Sequence, residues 1–221
     1  NLNVNGGDPS ASDVLNHTAQ LDAATTIDLG ASTIVSTSAN TVTFNGIERV
    51  NHTSSGAAST LTVTGTAGVD AINFSPTAAG AGSFVRLGLG DSPQFTYTGV
   101  GGAITVNGGS EGFDELGIIA GPGNDLIDAS QTSASSLSMT LTLAPSVASF
   151  TQVFALVSME AARIEAGAGD DVIRVNVADA LVATPASSLR FTVDGGEPNA
   201  SDLLNVVDDG LGDTDIYRKG P

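Results

Sequence analysis

Six aspartates share one local pattern, and their carboxylates are the side chains of this sequence best suited to chemistry. Each follows one or two glycines and stands two residues before a Leu or an Ile. Glycine permits a tight turn, the aspartate places a carboxylate at its end, and the aliphatic residue starts a strand that faces a core. Carboxylates in glycine turns suit Ca²⁺, which prefers several oxygen ligands. The six residues are Asp13, Asp70, Asp114, Asp125, Asp171 and Asp202.

Further acidic residues extend the set of candidate calcium ligands. A cluster near the C-terminus contains Asp208, Asp209, Asp213 and Asp215. Crowded carboxylates repel one another unless water or a cation neutralises them, so this cluster is either a calcium site or a solvated linker. At each turn the alternative is an aspartate that accepts backbone N–H bonds of its own turn. The candidate ligands are Asp70, Asp114, Asp125, Asp128, Asp170, Asp171, Asp202, Asp208, Asp209 and Asp213.

Three of the turns have a tighter form, in residues 65–73, 120–128 and 166–174. They resemble the nonapeptide of haemolysin-type (RTX) calcium-binding repeats, Gly-Gly-x-Gly-x-Asp-x-apolar-x, with Ala in place of the first Gly in the last two. The resemblance implies a parallel β-roll that holds Ca²⁺ between stacked turns. Family repeats follow one another directly, whereas these aspartates lie 55 (125 − 70) and 46 (171 − 125) residues apart. Ligands must therefore come from a neighbouring turn, for example Asp114 or Asp128 beside Asp125.

The two ends of the chain repeat each other. Residues 4–16 and 193–205 match at nine of thirteen positions without a gap, at an offset of 189 (193 − 4). Thr25 and Ile27 recur in register as Thr214 and Ile216. We therefore interpret residues 1–189 as one repeat period, with a possible internal boundary near residue 105. Residues 190–221 are then the start of the next period, or a strand that complements a neighbour.

The composition restricts the classes of partner. Seven Lys and Arg against 24 Asp and Glu give a net charge of −17, which disfavours nucleic acids and anionic lipid surfaces. There is no cysteine, and no apolar run is long enough to span a bilayer. An acidic chain without disulfides fits secretion by a prokaryote with calcium as the stabilising ion. We expect an extracellular or cell-surface location.

Short runs of alternating apolar and polar residues, separated by Gly, Ser, Asn and Asp, predict an all-β chain. We expect a right-handed parallel β-solenoid with irregular coils; the alternative is two β-sandwich domains, residues 1–105 and 106–192. Residues 154–165 fit either a helix or a pair of strands, and residues 129–138 read as a polar loop. The two histidines, His17 and His52, lie in identical Asn-His-Thr tripeptides and are predicted to be polar surface residues.

An enzyme is not expected, because the chain lacks Trp and has two Tyr and one Lys with which to line a substrate groove. Residues 41–51 contain a Gly-Ile-Glu step after a strand, and Ser158, Met159 and Glu160 form a degenerate copy. This pattern resembles long repetitive surface proteins of bacteria. We expect a structural module that assembles end to end with copies of itself or with adjacent repeats, stabilised by Ca²⁺. The alternative is a calcium-dependent adhesin or carbohydrate-binding module that binds surface glycans.

Overall fold

A computed structural model describes residues 1–7, 13–37, 39–88, 92–133, 136–143, 149–177, 189–196 and 202–207. Within these ranges the regular secondary structure consists of β-strands only. The strands are β1 (Leu2–Asn5), β2 (Val14–Leu21), β3 (Ala24–Asp28), β4 (Thr33–Ser36), β5 (Val42–Asn45), β6 (Arg49–Ser55), β7 (Thr60–Thr66), β8 (Ala71–Ala78), β9 (Ala81–Leu87), β10 (Gln94–Thr98), β11 (Ile104–Gly109), β12 (Glu115–Ile119), β13 (Leu126–Ser133), β14 (Ser136–Thr142), β15 (Ser149–Val157), β16 (Ala161–Glu165), β17 (Val172–Val177), β18 (Arg190–Asp194) and β19 (Leu203–Val207).

The strands form two mixed sheets. The larger sheet has the order β1-β5-β4-β3-β7-β11-β15-β14-β13-β17-β19, and the smaller sheet has the order β18-β16-β12-β8-β9-β10-β6-β2. The larger sheet therefore ends at β1 and β19, and the smaller sheet ends at β2 and β18. The first two strands and the last two strands of the chain thus provide the outermost edges of both sheets.

Period-two alternation produces the strands and selects their buried face. In β7, Leu61 and Val63 are buried, while the neighbouring Thr62 and Thr64 are partly exposed. β-Branched and apolar residues at alternate positions favour such a half-buried strand. The same alternation recurs in β8 and β14.

The buried faces of the two sheets share one core. Phe44 of the larger sheet contacts Phe95 of the smaller one, with ring centroids 6.2 Å apart. Farther along, Phe74 of the smaller sheet contacts Phe154 of the larger one at 5.3 Å. Edge-to-face aromatic contacts of this kind add to the free energy gained by removing apolar surface from water. The sheets are held together by this apolar contact.

The chain crosses repeatedly from one sheet to the other. Strands of successive crossings pair in parallel, and three antiparallel meanders, β3-β4-β5, β8-β9-β10 and β13-β14-β15, lie between them. Where a meander intervenes, Ala71 pairs with Glu115, 44 residues later (115 − 71). Without one, Ala161 pairs with Arg190, 29 residues later (190 − 161). The meanders therefore account for the uneven spacing of the aspartate turns.

Several local predictions can be compared with these elements. Residues 154–165 contain the end of β15 and all of β16, so the strand-pair alternative is confirmed and the helix is wrong. The polar loop predicted for residues 129–138 is also wrong, because β13 extends to Ser133 and β14 starts at Ser136. Polar residues in a hairpin between two paired strands can extend a sheet as long as neighbouring strands satisfy the backbone. The suggested boundary near residue 105 falls inside β11, which pairs with β7 and β15.

Candidate functional site: a ladder of carboxylates at the strand starts

All six aspartates of the turn pattern lie directly before a strand, as the sequence predicts. Asp70, Asp114, Asp125 and Asp171 are buried, although they are charged residues at turns. The aliphatic residue two positions later is also buried at these four turns. The strands that follow the six aspartates are β2, β8, β12, β13, β17 and β19.

The aspartates are linked between neighbouring strands by one repeated hydrogen bond. The backbone N–H of an acidic residue before one strand donates to the side-chain carboxylate of the acidic residue before the next parallel strand. We call this series the carboxylate ladder. Its bonds are Asp13 to Glu48 (2.7 Å), Asp70 to Asp114 (2.7 Å), Asp114 to Glu160 (2.8 Å), Asp125 to Asp171 (2.7 Å) and Asp171 to Asp202 (3.0 Å).

The backbone returns a hydrogen bond at the same positions. Glu115 donates its N–H to the Asp70 carbonyl oxygen, and Leu203 donates to that of Asp171, both at 2.8 Å. The ladder has a direction, because the side-chain acceptor always belongs to the later strand. Charged acceptors for backbone N–H groups are stronger than neutral ones. Each ladder bond therefore fixes the register of two parallel strands where they begin.

Glycine makes room for these carboxylates. A Cβ on Gly65 would collide with the Asp70 carboxylate, and the Asp70 Oδ2 accepts the N–H of Thr66 at 2.5 Å. The same relation of a glycine to the carboxylate of its own turn occurs three more times among the described residues. These pairs are Gly6 with Asp13, Gly108 with Asp114 and Gly195 with Asp202.

The two turns with the closest match to the calcium-binding nonapeptide are stacked on each other. Residues 120–128 and 166–174 pair in parallel, with a bridge between Pro122 and Ala168 and an N–H bond from Gly123 to the Ala168 carbonyl at 2.5 Å. Gly167 has a φ of 104°, and a Cβ there would collide with the carbonyl oxygen of Gly121. The fold thus stacks two turns that the sequence separates by a three-stranded meander.

A buried ion pair completes the Asp70 turn. Arg86 of β9 contacts the Asp70 carboxylate through its Nε, and its Nη2 donates to the Thr66 hydroxyl at 3.0 Å. Both charged residues are almost fully buried. Because a buried charge is costly without a partner, Arg86 and Asp70 depend on each other.

Burial shifts the pKa of two ladder carboxyls. Burial raises the pKa of the Asp114 carboxyl, and the N–H bond from Asp70 acts in the opposite direction. Burial likewise raises the pKa of Asp171, against the N–H bond from Asp125. The Asp171 Oδ2 is buried and has no hydrogen-bond partner among the described residues. Within the described residues, this oxygen is therefore an unsatisfied acceptor of the ladder.

The predicted calcium ligands fall into separate places. Asp114 lies beside Asp70 rather than beside Asp125, whose ladder neighbour is Asp171. The Asp128 carboxylate accepts a bond from Arg174 at 3.2 Å, and the N–H of Asp170 donates to the side chain of Asn124 at 3.1 Å.

Asp208, Asp209 and Asp213 lie outside the described residues. Within the described part of the chain, no three His, Cys, Asp or Glu residues form a group that could hold a metal ion. Ca²⁺ binding stays a prediction.

Three ladder residues were not among the candidate ligands: Asp13, Glu48 and Glu160. Glu48 and Glu160 accept the N–H groups of Asp13 and Asp114 and so replace aspartate in the ladder. The signal for both was the Gly-Ile-Glu step and its degenerate copy, which place a Glu immediately before β6 and β16. The spacing gave no indication that a longer carboxylate would serve the same role.

The histidines do not have the predicted surface positions. His52 is buried and His17 is half-buried, so the prediction is wrong for His52. The two Asn-His-Thr tripeptides pair in register between β2 and β6, with the two Nδ1 atoms 3.0 Å apart. The His52 Nε2 lies 2.8 Å from the Ser54 hydroxyl. Burial, together with a smaller effect of His17, lowers the pKa of His52 to about 4.

Comparison with known proteins gives no family. A scan against protein-family models, a search of curated proteins and a search of solved structures each found no match. The described residues include no helix long and apolar enough to cross a membrane.

Proposed function

We propose that this chain is an extracellular structural module that associates end to end with equivalent modules. The observation that carries the proposal is the repeat at the chain ends. At the offset of 189 residues, Val4 of β1 corresponds in sequence to Val193 of β18, and Leu15 of β2 corresponds to Leu204 of β19. In both places a Gly-Gly sequence follows a strand of one sheet, and the next strand of the chain belongs to the other sheet.

The two copies lie at opposite ends of the sheet order. β1 and β2 pair only with β5 and β6, and β18 and β19 pair only with β16 and β17, among the described strands. Each copy thus has one outer edge with backbone groups available for pairing. Open strand edges tend to pair with further strands unless they are blocked. A module with the same motif at both open edges is suited to joining others in a line.

Exposed apolar side chains at both open edges also favour end-to-end association. Leu2 at one end is 54% exposed, and Leu204 at the other end is 45% exposed. Val4, Phe191 and Val193 are only partly buried against the core. Covering these residues with another module would remove apolar surface from water, which favours association.

The proposal includes a specific arrangement of the strands. The chain's regular crossing between two sheets and its parallel pairing of successive crossings support a parallel β-solenoid with three inserted meanders. In such a fold each turn of the chain covers the edge of the previous one, so that free edges remain at the two ends. This arrangement is what a linear array requires.

Calcium is proposed as a stabilising ion at the stacked turns of residues 120–128 and 166–174. The supporting observation is the buried Asp171 Oδ2, which has no hydrogen-bond partner among the described residues. Because no three acidic side chains among the described residues form a group that could hold a metal ion, an ion at the stacked turns would depend on their carbonyl oxygens for most of its ligands.

The test of end-to-end association uses two matched substitutions. Leu204→Glu places a charge at the open end, and Val35→Glu places one on β4, where the exposed fraction is nearly equal at 44%. We expect sedimentation velocity to show oligomers of the parent chain that grow with concentration. Leu204→Glu should shift them to the monomer, and Val35→Glu should not. A parent chain that stays monomeric, or equal effects of both substitutions, would contradict the proposal.

A further inference from the structure

We infer that the joint between two copies is a continuation of the carboxylate ladder, in which the Asp202 N–H of one copy donates to the Asp13 carboxylate of the next. This inference rests on the proposed end-to-end association and specifies its register. The partner is a second copy of this chain, with β18 and β19 of one copy stacked on β1 and β2 of the other.

The direction of the ladder determines which groups meet. In each of its five bonds, the N–H belongs to the earlier strand and the carboxylate to the later one. Asp202 ends the described series as an acceptor from Asp171. Asp13 begins another series as a donor to Glu48. To continue the ladder, the Asp202 N–H would therefore have to donate a hydrogen bond, and the Asp13 carboxylate would have to accept one.

The backbone of both edges has the matching orientation. Leu203 donates its N–H toward Asp171, so the backbone groups of Asp202 and Leu204 point to the opposite, open side. At the other end, Arg49 donates to the Asp13 carbonyl, so the backbone groups of Val14 point to the open side. A reciprocal bond from the Val14 N–H to the Asp202 carbonyl would repeat the one from Leu203 to Asp171. Both edges can then pair in parallel without a change of register.

The side chains that would face each other are chemically matched. The offset of 189 places Leu204 against Leu15 and Asn205 against Asn16. Asn51 already donates from its Nδ2 to the Asn16 Oδ1 at 2.9 Å, so a further Asn would lengthen an existing row of amide bonds. Leu204 would cover Leu15, which is partly buried against the core. Like side chains on neighbouring strands therefore repeat contacts that the molecule already makes.

The sheets exchange roles at this joint. β18 belongs to the smaller sheet and β1 to the larger, while β19 belongs to the larger sheet and β2 to the smaller. Each sheet of one copy continues as the other sheet of the next, so successive copies are related by about a half-turn around the line of assembly.

A competing joint has a different register. In it, β18 and β19 of one copy displace β1 and β2 of the next and pair with β5 and β6, because they carry nearly the same motif. Val207 would then face Thr53, the present partner of Thr18. In the inferred joint Val207 faces Thr18 itself (207 − 189). All three side chains are exposed, so each can be reached by a crosslink.

Paired cysteines in the full chain distinguish the two, because the natural sequence has none. Neighbouring residues of parallel strands lie within the Cα separation that a disulfide needs. We expect oxidised Thr18→Cys/Val207→Cys to give a series of covalent oligomers on a non-reducing gel, and the matched Thr53→Cys/Val207→Cys to stay monomeric. The reverse result would overturn the inferred joint but leave end-to-end association intact. If the parent chain is monomeric and neither pair crosslinks, both proposals fail.

The ladder bond itself is tested by two variants of the acceptor. Asp13→Ala removes the carboxylate oxygen and should weaken self-association about 10-fold or more, since hydrogen bonds to charged groups are among the stronger ones. Asp13→Asn keeps the Oδ1 acceptor and should restore most of the affinity. Equal affinities for the Ala variant and the parent chain would contradict the ladder joint.

Discussion

The backbone N–H of Asp125 donates to the carboxylate of Asp171 at 2.7 Å, although the two residues are 46 positions apart in sequence (171 − 125). Each of these aspartates ends a Gly-rich turn and precedes a strand, and the two strands pair in parallel register. Their bond is one step of a ladder that occurs in both sheets. The ladder aligns successive crossings of the chain, and we expect loss of its acceptors to lower stability.

Loss of a ladder acceptor should destabilise the fold. Asp114→Ala leaves the buried N–H of Asp70 without its acceptor, and we expect a loss of about 1–3 kcal/mol in the free energy of unfolding, measured by urea denaturation. Asp114→Asn retains an Oδ1 acceptor and should lose much less. The exposed Glu111→Ala serves as a control. Equal stability of Asp114→Ala and Glu111→Ala would be inconsistent with a structural ladder.

The buried ion pair predicts a rescue. Arg86→Met leaves the Asp70 carboxylate buried without its cation, and the expected loss is about 3–5 kcal/mol in the free energy of unfolding. Adding Asp70→Asn removes the uncompensated charge and should recover a large part of that loss. A double variant less stable than Arg86→Met alone would show that the charge is not the cause.

Two equivalent glycines should respond differently to alanine. Gly167 has a positive φ and no room for a Cβ, whereas Gly121 in the stacked turn has a negative or extended φ and open space around it. Gly167→Ala should therefore cost about 1–3 kcal/mol and Gly121→Ala less than about 0.5 kcal/mol. Thermal melting of both variants provides the comparison. Similar melting temperatures would contradict the stacking of the two turns.

The buried His52 predicts a loss of stability in acid. Its pKa in the folded state is about 4, below the unfolded value of 6.5. The unfolded chain therefore binds the proton first, and stability falls as the pH drops from about 6.5 to about 4, by on the order of 3 kcal/mol. Asp114 and Asp171 act oppositely, because their raised pKa values favour the folded state as the pH falls.

The contribution of His52 is isolated by comparing His52→Gln with the parent chain at each pH. The difference in unfolding free energy between them should change across this pH range. A constant difference would mean that His52 is not the titrating group.

Calcium should raise the melting temperature if the ion binds the stacked turns. At about 100 times its dissociation constant, a ligand that binds only the folded state contributes about 2.7 kcal/mol. We expect a chelator to reverse the shift and Asp171→Asn to remove most of it, while Glu111→Gln leaves it unchanged. The same melting temperature with calcium and with chelator would contradict the calcium proposal.

Local features were predictable from the sequence, whereas pairing was not. The Gly and Asp turns predicted where six strands begin, and alternation predicted burial in strands such as β7 and β14, because both signals lie within a few residues. The contact between Asp125 and Asp171 depends on the meander that lies between them in the sequence. Period-two alternation indicates which face of a strand is buried, but not which strand pairs with it. Burial of His52 depends on the in-register neighbour His17, which is 35 residues away (52 − 17).

Small-angle X-ray scattering of the parent chain across a concentration series tests end-to-end association most directly. Assembly through the open ends predicts that the longest dimension grows in steps of one module while the radius of gyration of the cross-section stays constant. Growth of the cross-section, or scattering that remains that of a single chain at every concentration, would contradict it.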